Sequence, residues 1–375
     1  MEKNNKTLNV PHLRFPEFGG EWEKHSLGEI GSTLIGLTYS PADVVKEDGV
    51  IVLRSSNIQD GEIDYKDLVR VNKKIKDSLF TKKNDILICA RNGSSRLIGK
   101  NALISDDDTG HSYGAFMMMY RSEDNPFVRQ LLCTKRYFAQ VGENLGARIN
   151  QITTSDMNSF EFFFPQSKEE RHKVASFLRL IDERISTQKK IIEKYESLIR
   201  GLCENLTRQG TANKTIDECL ECHSSTLQEN AVLDAGRYPV YGATGVCGYT
   251  DAPEASGDGI LIIKDGASVG VTHFANGSYS SIGTLNRLTA KKDINLRYVY
   301  YCLKVLNFTP YKTGLAIPHI YFKDYGKHKI WCPTLEQQSR IADALTTIDD
   351  KIQVEKSLLE QLNSQKRYML NQLFI

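Results

Sequence analysis

A chain of 375 residues exceeds one ordinary globular core and suits two, at roughly 100 to 200 residues per domain. Its 25% charged and 40% hydrophobic residues exclude collagen-like, disordered and low-complexity classes. A net charge of +2, from 48 basic and 46 acidic residues, leaves composition silent on nucleic acid.

The N-terminus, MEKNNKTLNV, is polar and lacks the apolar core of a signal peptide, and no run approaches the ~18 apolar residues of a membrane span. A cytoplasmic location is expected, and with it eight cysteines as free thiols. Asp60-Gly61-Glu62-Ile63-Asp64 supplies carboxylates without a partner lysine, so it reads as a hairpin turn rather than a metal nuclease centre. The apolar run 86–90 reads as a strand. After it, GSSRLIGK at 93–100 resembles a phosphate loop but spaces its glycines wrongly and has Asn101 where Ser or Thr must hold magnesium. Asp124-Asn125-Pro126-Phe127 lacks the second proline of an amino-methylating motif and is read as a turn opening a short helix near 126–140.

Residues 168–206 follow Pro165 and contain no proline, which allows one unbroken helix. Val174, Leu178, Ile181, Ile185, Gln188, Ile192, Tyr195, Ile199, Leu202 and Leu206 alternate by four and three, the seam of a coiled coil. Farther on, Cys219-Leu220-Glu221-Cys222-His223 matches the spacing of haem attachment. It has neither the exported context nor a second ligand pair for zinc, so neither site is assigned. In the glycine-rich stretch 236–249, Tyr241 and Tyr249 are read as closing a core rather than stacking on a displaced base. A strand at 260–263 and a short helix at 295–305 precede a second long helix, which starts after Pro333. The histidines show no metal-ligand spacing, and no Ser/His/Asp constellation can be assembled.

The chain repeats itself. Residues 168–206 match 335–373 without a gap, pairing Glu169 with Glu336, Leu178 with Leu345, Asp182 with Asp349 and Arg200 with Arg367. The polar interruption at Gln188 aligns with Glu355, either a device that fixes register or a solvated turn. At about 1.5 Å per residue each helix spans on the order of 50 Å. More faintly, Gly146-Ala147-Arg148-Ile149 and Ile152 reappear as Gly314-Leu315-Ala316-Ile317 and Ile320, and 85–95 (DILICARNGSS) resembles 258–268 (DGILIIKDGAS).

This plan, with VPHLRFPEFGGEW at 10–22, Leu27-Gly28-Glu29-Ile30, IVLRSSNIQDGEI at 51–63, GRYPVYGATGVCGY at 236–249 and GLAIPHI at 314–320, resembles the specificity subunit of type I restriction-modification systems. The likeness covers almost the whole chain and implies a mixed α/β fold. Two globular target-recognition domains, 1–165 and 208–333, would each be followed by a long heptad helix, 166–207 and 334–375. The helices would pair as an antiparallel coiled coil with pseudo-twofold symmetry. Each domain would read one half of a bipartite site in double-stranded DNA, and the chain itself would catalyse nothing and hold no cofactor. Two modification (methyltransferase) subunits carrying S-adenosylmethionine, and restriction (endonuclease and translocase) subunits using ATP and magnesium, are the implied partners. Those partners can supply phosphate contacts that a near-neutral chain lacks. The second module is shorter than the first, a departure that bears on equal recognition length.

Base readout needs polar and cationic side chains on exposed loops. The richest clusters of the first module are Arg54, Ser55, Ser56 and Asn57; Arg91 and Asn92; Ser94, Ser95 and Arg96; and Arg148, Asn150 and Gln151. In the second, Lys264, Ser268, His273, Lys312, Thr313, His319 and Lys323 occupy comparable places. The outer helix residues Arg171, Lys173, Arg179 and Arg184 are expected to meet the modification subunit. Competing readings are a free-standing DNA-binding or adaptor protein, a methyltransferase or nuclease in its own right, and a structural coiled-coil protein.

Overall fold

The computed structural model describes residues 9–145, 150–314 and 316–375. Two globular modules are built on the same plan. In the first, four antiparallel strands, β1 (Ser32–Ile35), β2 (Ile86–Cys89), β3 (Asn101–Leu103) and β4 (Met117–Arg121), lie in the order β1-β4-β2-β3. In the second, β5 (Leu220–Ser224), β6 (Gly259–Ile263), β7 (Thr272–Ala275) and β8 (Leu285–Ala290) repeat it as β5-β8-β6-β7. Each module adds a second four-stranded sheet containing one parallel pair, Ser112–Tyr113 with Val50–Leu53 and Tyr238–Gly242 with Ser278–Ser281.

The central strands explain the packing. β2 and β6 are apolar at every position because both faces are covered, and side chains alternate between faces with a period of two. Leu261 and Ile263 join Tyr241 and Tyr279 between the sheets, whereas Ile260 and Ile262 face a larger core with Tyr298, Tyr301, Ala342 and Leu345. In the first module Leu87 and Cys89 likewise meet Ile51, Leu53 and Tyr113. Each fully buried Leu or Ile contributes roughly 1.5–3 kcal/mol. Asp60 and Gly61, at φ 52° and 85°, close the hairpin of Ile58–Gln59 with Glu62–Ile63, as its turn residues require.

Short helices α1 (Asn125–Leu131) and α3 (Leu296–Lys304) follow β4 and β8, and the long helices α2 (Lys168–Leu206) and α4 (Leu335–Leu373) have 39 residues each. Ser167 caps α2, its hydroxyl accepting from the Glu170 N–H at 3.1 Å. Thr334 and Gln337 cap α4 reciprocally, in a capping box. The four-part division expected along the chain becomes two units in space: Met1–Thr187 with Glu360–Ile375, and Gln188–Leu359. The start of each long helix is thus grouped with the end of the other, the pattern of an antiparallel pair. Within the second unit the Gln188 side chain donates to the Glu355 backbone carbonyl at 3.0 Å and to its carboxylate, and both residues are buried. That seam position is a packed polar contact, not a solvated turn.

Each module is fastened to its own long helix at equivalent places. Arg171 donates to Asp124, the N-cap of α1, at 2.9 Å, and Gln338 accepts from the N–H of Asn295, the N-cap of α3, also at 2.9 Å. Farther along, Gln130 donates to Asp182 and Lys304 pairs with Asp349. Arg171 therefore faces inward, correcting its assignment to the outer surface. Lys173 lies over the Phe15 ring and pairs with Glu17, Arg179 pairs with Glu183, and Arg184 is exposed.

Candidate nucleic-acid interface

In the first module three sequence-distant loops converge where β2 and β4 meet. The Asn92 amide donates to the Ser55 hydroxyl at 3.0 Å, the Asn92 N–H reaches the Asn150 carbonyl at 3.3 Å, and Arg91 bridges Gln151. The Asn150 amide returns to the Gly93 carbonyl at 3.0 Å. Ser56, Ser94, Ser95 and Arg96 are exposed around this junction. Arg148 lies outside the described residues.

Two residues of the set are committed elsewhere. Asn57 is fully buried, accepting from the Arg54 N–H and donating to the Asp64 and Asp67 carbonyls, so it holds the loop rather than facing outward. Arg54 pairs with Asp67 at 2.7 Å. The arginine left without a carboxylate in the described contacts and yet held in place is Arg91, whose guanidinium sits 5.1 Å from the centre of the Phe116 ring. Phe116 is 58% exposed on the same surface. The sequence reading missed Phe116; an aromatic in the short Gly114-Ala115-Phe116 link directly before the MMMYR strand was the available signal.

The second module builds the same junction from different chemistry. Asp265 bridges His319 as Arg91 bridges Gln151. Ile320 donates to the Lys264 carbonyl at 3.0 Å as Ile152 does to that of Ala90 at 2.9 Å. Arg91 therefore corresponds to Asp265, one residue away from the alignment that set 85–95 over 258–268. The strand hydrogen bonds, not the glycines, fix the register. The His319 imidazole hydrogen-bonds the Asp265 carboxylate and lies tilted against the Tyr321 ring, centroids 4.1 Å apart, and Lys323 sits 5.2 Å over that ring. Thr313 exchanges backbone hydrogen bonds with His319 at 2.8 Å, and Lys312, Thr313, Lys323 and Ser268 are exposed. His273 stands apart on β7, against the Ala243 carbonyl. Sequence reasoning missed Asp265 and Tyr321 because it looked for cationic and neutral polar side chains and passed over carboxylates and aromatic rings.

Other motifs have structural places. Tyr241 packs edge-on to Tyr279 in the inter-sheet core, whereas Tyr249 is exposed, correcting its core assignment. The segment at 95–97 is a single 3-10 turn. Cys219 is fully buried, and burial pushes the Cys89 and Cys222 thiols up to about 11. Among the described residues no group of His, Cys, Asp or Glu is arranged to hold a metal ion, and no helix is long and apolar enough to cross a membrane.

Two tandem α/β modules, each presenting a polar loop junction and each anchored to a long helix, define an internally duplicated two-module protein. The family model described as "Type I restriction modification DNA specificity domain" matches residues 19–197 and again 211–364, and the chain belongs to that family. It is 24% identical over 251 residues to a Mycoplasma genitalium protein provisionally described as a type I specificity subunit, covering 61% of this chain and 65% of that one. The EcoKI specificity subunit of Escherichia coli strain K12 is 25% identical over 194 residues, 48% of this chain and 42% of that one. The matched stretches thus span less than two thirds of either relative. The crystal structure of the type I restriction-modification S subunit from M. genitalium superposes with a TM-score of 0.67 at 19% identity, covering 98% of this chain and 99% of that one.

Proposed function

We propose that this chain is the sequence-specific DNA-binding subunit of a type I restriction-modification complex, each module reading one half of a bipartite site. The observation that carries the reading is the duplicated loop junction. Two equivalent surfaces rich in hydrogen-bonding side chains project from rigid, equivalent scaffolds, which is what readout of two separate blocks requires. The chain is non-catalytic in this reading. Modification subunits bring S-adenosylmethionine and the adenine-methylating site, restriction subunits bring ATP-driven chemistry with magnesium, and the chain supplies the address.

The test is coexpression with a modification subunit followed by mapping of adenine methylation across plasmid DNA by single-molecule sequencing. Two short defined blocks around a fixed gap are expected. Absent methylation, or one continuous site, would favour a solitary binding protein or one inactive module.

A further inference from the structure

The two modules place opposite chemistry at one equivalent bridge. We propose that Arg91 and Asp265 each discriminate a base, Arg91 by donating to a guanine in one half-site and Asp265 by accepting from a cytosine amino group in the other. This rests on the DNA-recognition reading above.

The candidates in the first module separate by how they are held. Arg54 is tied to Asp67, and Arg96 is exposed with no ring or carboxylate holding it among the described contacts. Arg91 is exposed yet oriented by Phe116, with its backbone N–H fixed to the Phe116 carbonyl at 2.9 Å. A guanidinium stacked on a ring loses little freedom on binding, and its fork matches the O6 and N7 acceptors of guanine in the major groove. The ring itself offers an apolar surface to a neighbouring thymine methyl.

In the second module the same place holds a carboxylate. A carboxylate repels phosphate, so its position on the loop surface does not serve backbone binding. Lys312 and Lys323 beside it have the charge for that. His319 hydrogen-bonds one oxygen of the Asp265 carboxylate, and the Tyr321 ring packs against the imidazole. The Asp265 and His319 side chains keep 31% and 24% of their surface, held but accessible. A fixed acceptor of this kind suits the N4 amino group of cytosine. The two half-sites therefore differ in sequence, because the equivalent readers differ in hydrogen-bond sense.

The experiment uses the full chain copurified with its modification subunit and a randomised duplex library, with bound sequences read by sequencing. Wild type is expected to enrich two blocks. R91A and R91M each lower the preference for guanine at one position of one block by about five- to hundred-fold and leave the other block intact. R91M removes the donors, keeps an unbranched side chain against Phe116, and covers the case in which R91A fails to assemble. D265N lowers the preference for cytosine at one position of the opposite block. Unchanged motifs in R91M and D265N would overturn the assignment. So would a loss of affinity uniform across sequences with a salt slope reduced by about 1, the mark of a phosphate contact. If wild type enriches no two-block motif, the DNA-recognition reading itself fails.

Discussion

Arg14 and Glu170 show how much of the N-terminal segment is structural. Glu170 is 1% exposed at the start of α2, accepts from Nε and Nη2 of the Arg14 guanidinium at 2.7 Å each, and accepts from the Trp22 indole at 3.2 Å. A bidentate pair buried to this degree is strongly coupled, and removing one partner strands the other. Glu170→Ala is expected to destabilise the first unit by about 3 kcal/mol in urea unfolding, with Glu170→Gln milder because one acceptor remains. Sequence reading singled out this segment, VPHLRFPEFGGEW, as part of a resemblance but gave it no physical role. Nothing local reveals that Glu170 lies 148 residues from its indole donor. Asn57 makes the same point from the other side. Its amide is the right chemistry for adenine, and only the fold shows that the amide is consumed by its own loop.

The long helices were the most legible elements, because a heptad seam is written in neighbouring residues. Leu178 and Leu345, equivalent seam positions, are both completely buried. The strands were legible only at their apolar centres, 86–90 and 260–263. Their partners are brought in from distant segments, and the two-residue strands carry no pattern of their own. The Gln188–Glu355 contact tests what a polar seam residue does. Lys351 and then Gln188 hold the Glu355 carboxylate below the usual range, so the amide meets a charged acceptor. Gln188→Leu or Glu355→Leu alone leaves a polar group facing an apolar one, and each is expected to lower the denaturation midpoint. The double replacement recovers most of the loss, because removing both partners together is close to neutral. A double-mutant cycle reads the coupling, and additive single effects would show that the contact is incidental.

At the scale of the whole molecule, the consequence of the antiparallel helices is that chain order and spatial order disagree. Glu360–Ile375 belongs with the N-terminal module, and its ties there are specific. Lys366 pairs with Asp182 at 2.5 Å, and Leu13 donates to the Gln372 carbonyl at 2.9 Å. The Phe374 ring packs 5.4 Å from Phe127 and 6.3 Å from Trp22. Removing residues 360–375 is therefore expected to damage the module farthest away in sequence. Hydrogen exchange followed by mass spectrometry should show lost protection around Trp22, α1 and the first turns of α2. Residues 216–263 of the second module, whose core is formed within 188–359, should keep theirs. Protection lost first in the second module would mean that α4 stabilises its own half of the chain and that the grouping of helix ends has no energetic content. The expected result would instead make the first module's stability depend on the last turns of the chain. The second module carries the converse dependence in its core, where Ile199 and Cys203 of α2 are buried beside Ala342 and Leu345 of α4.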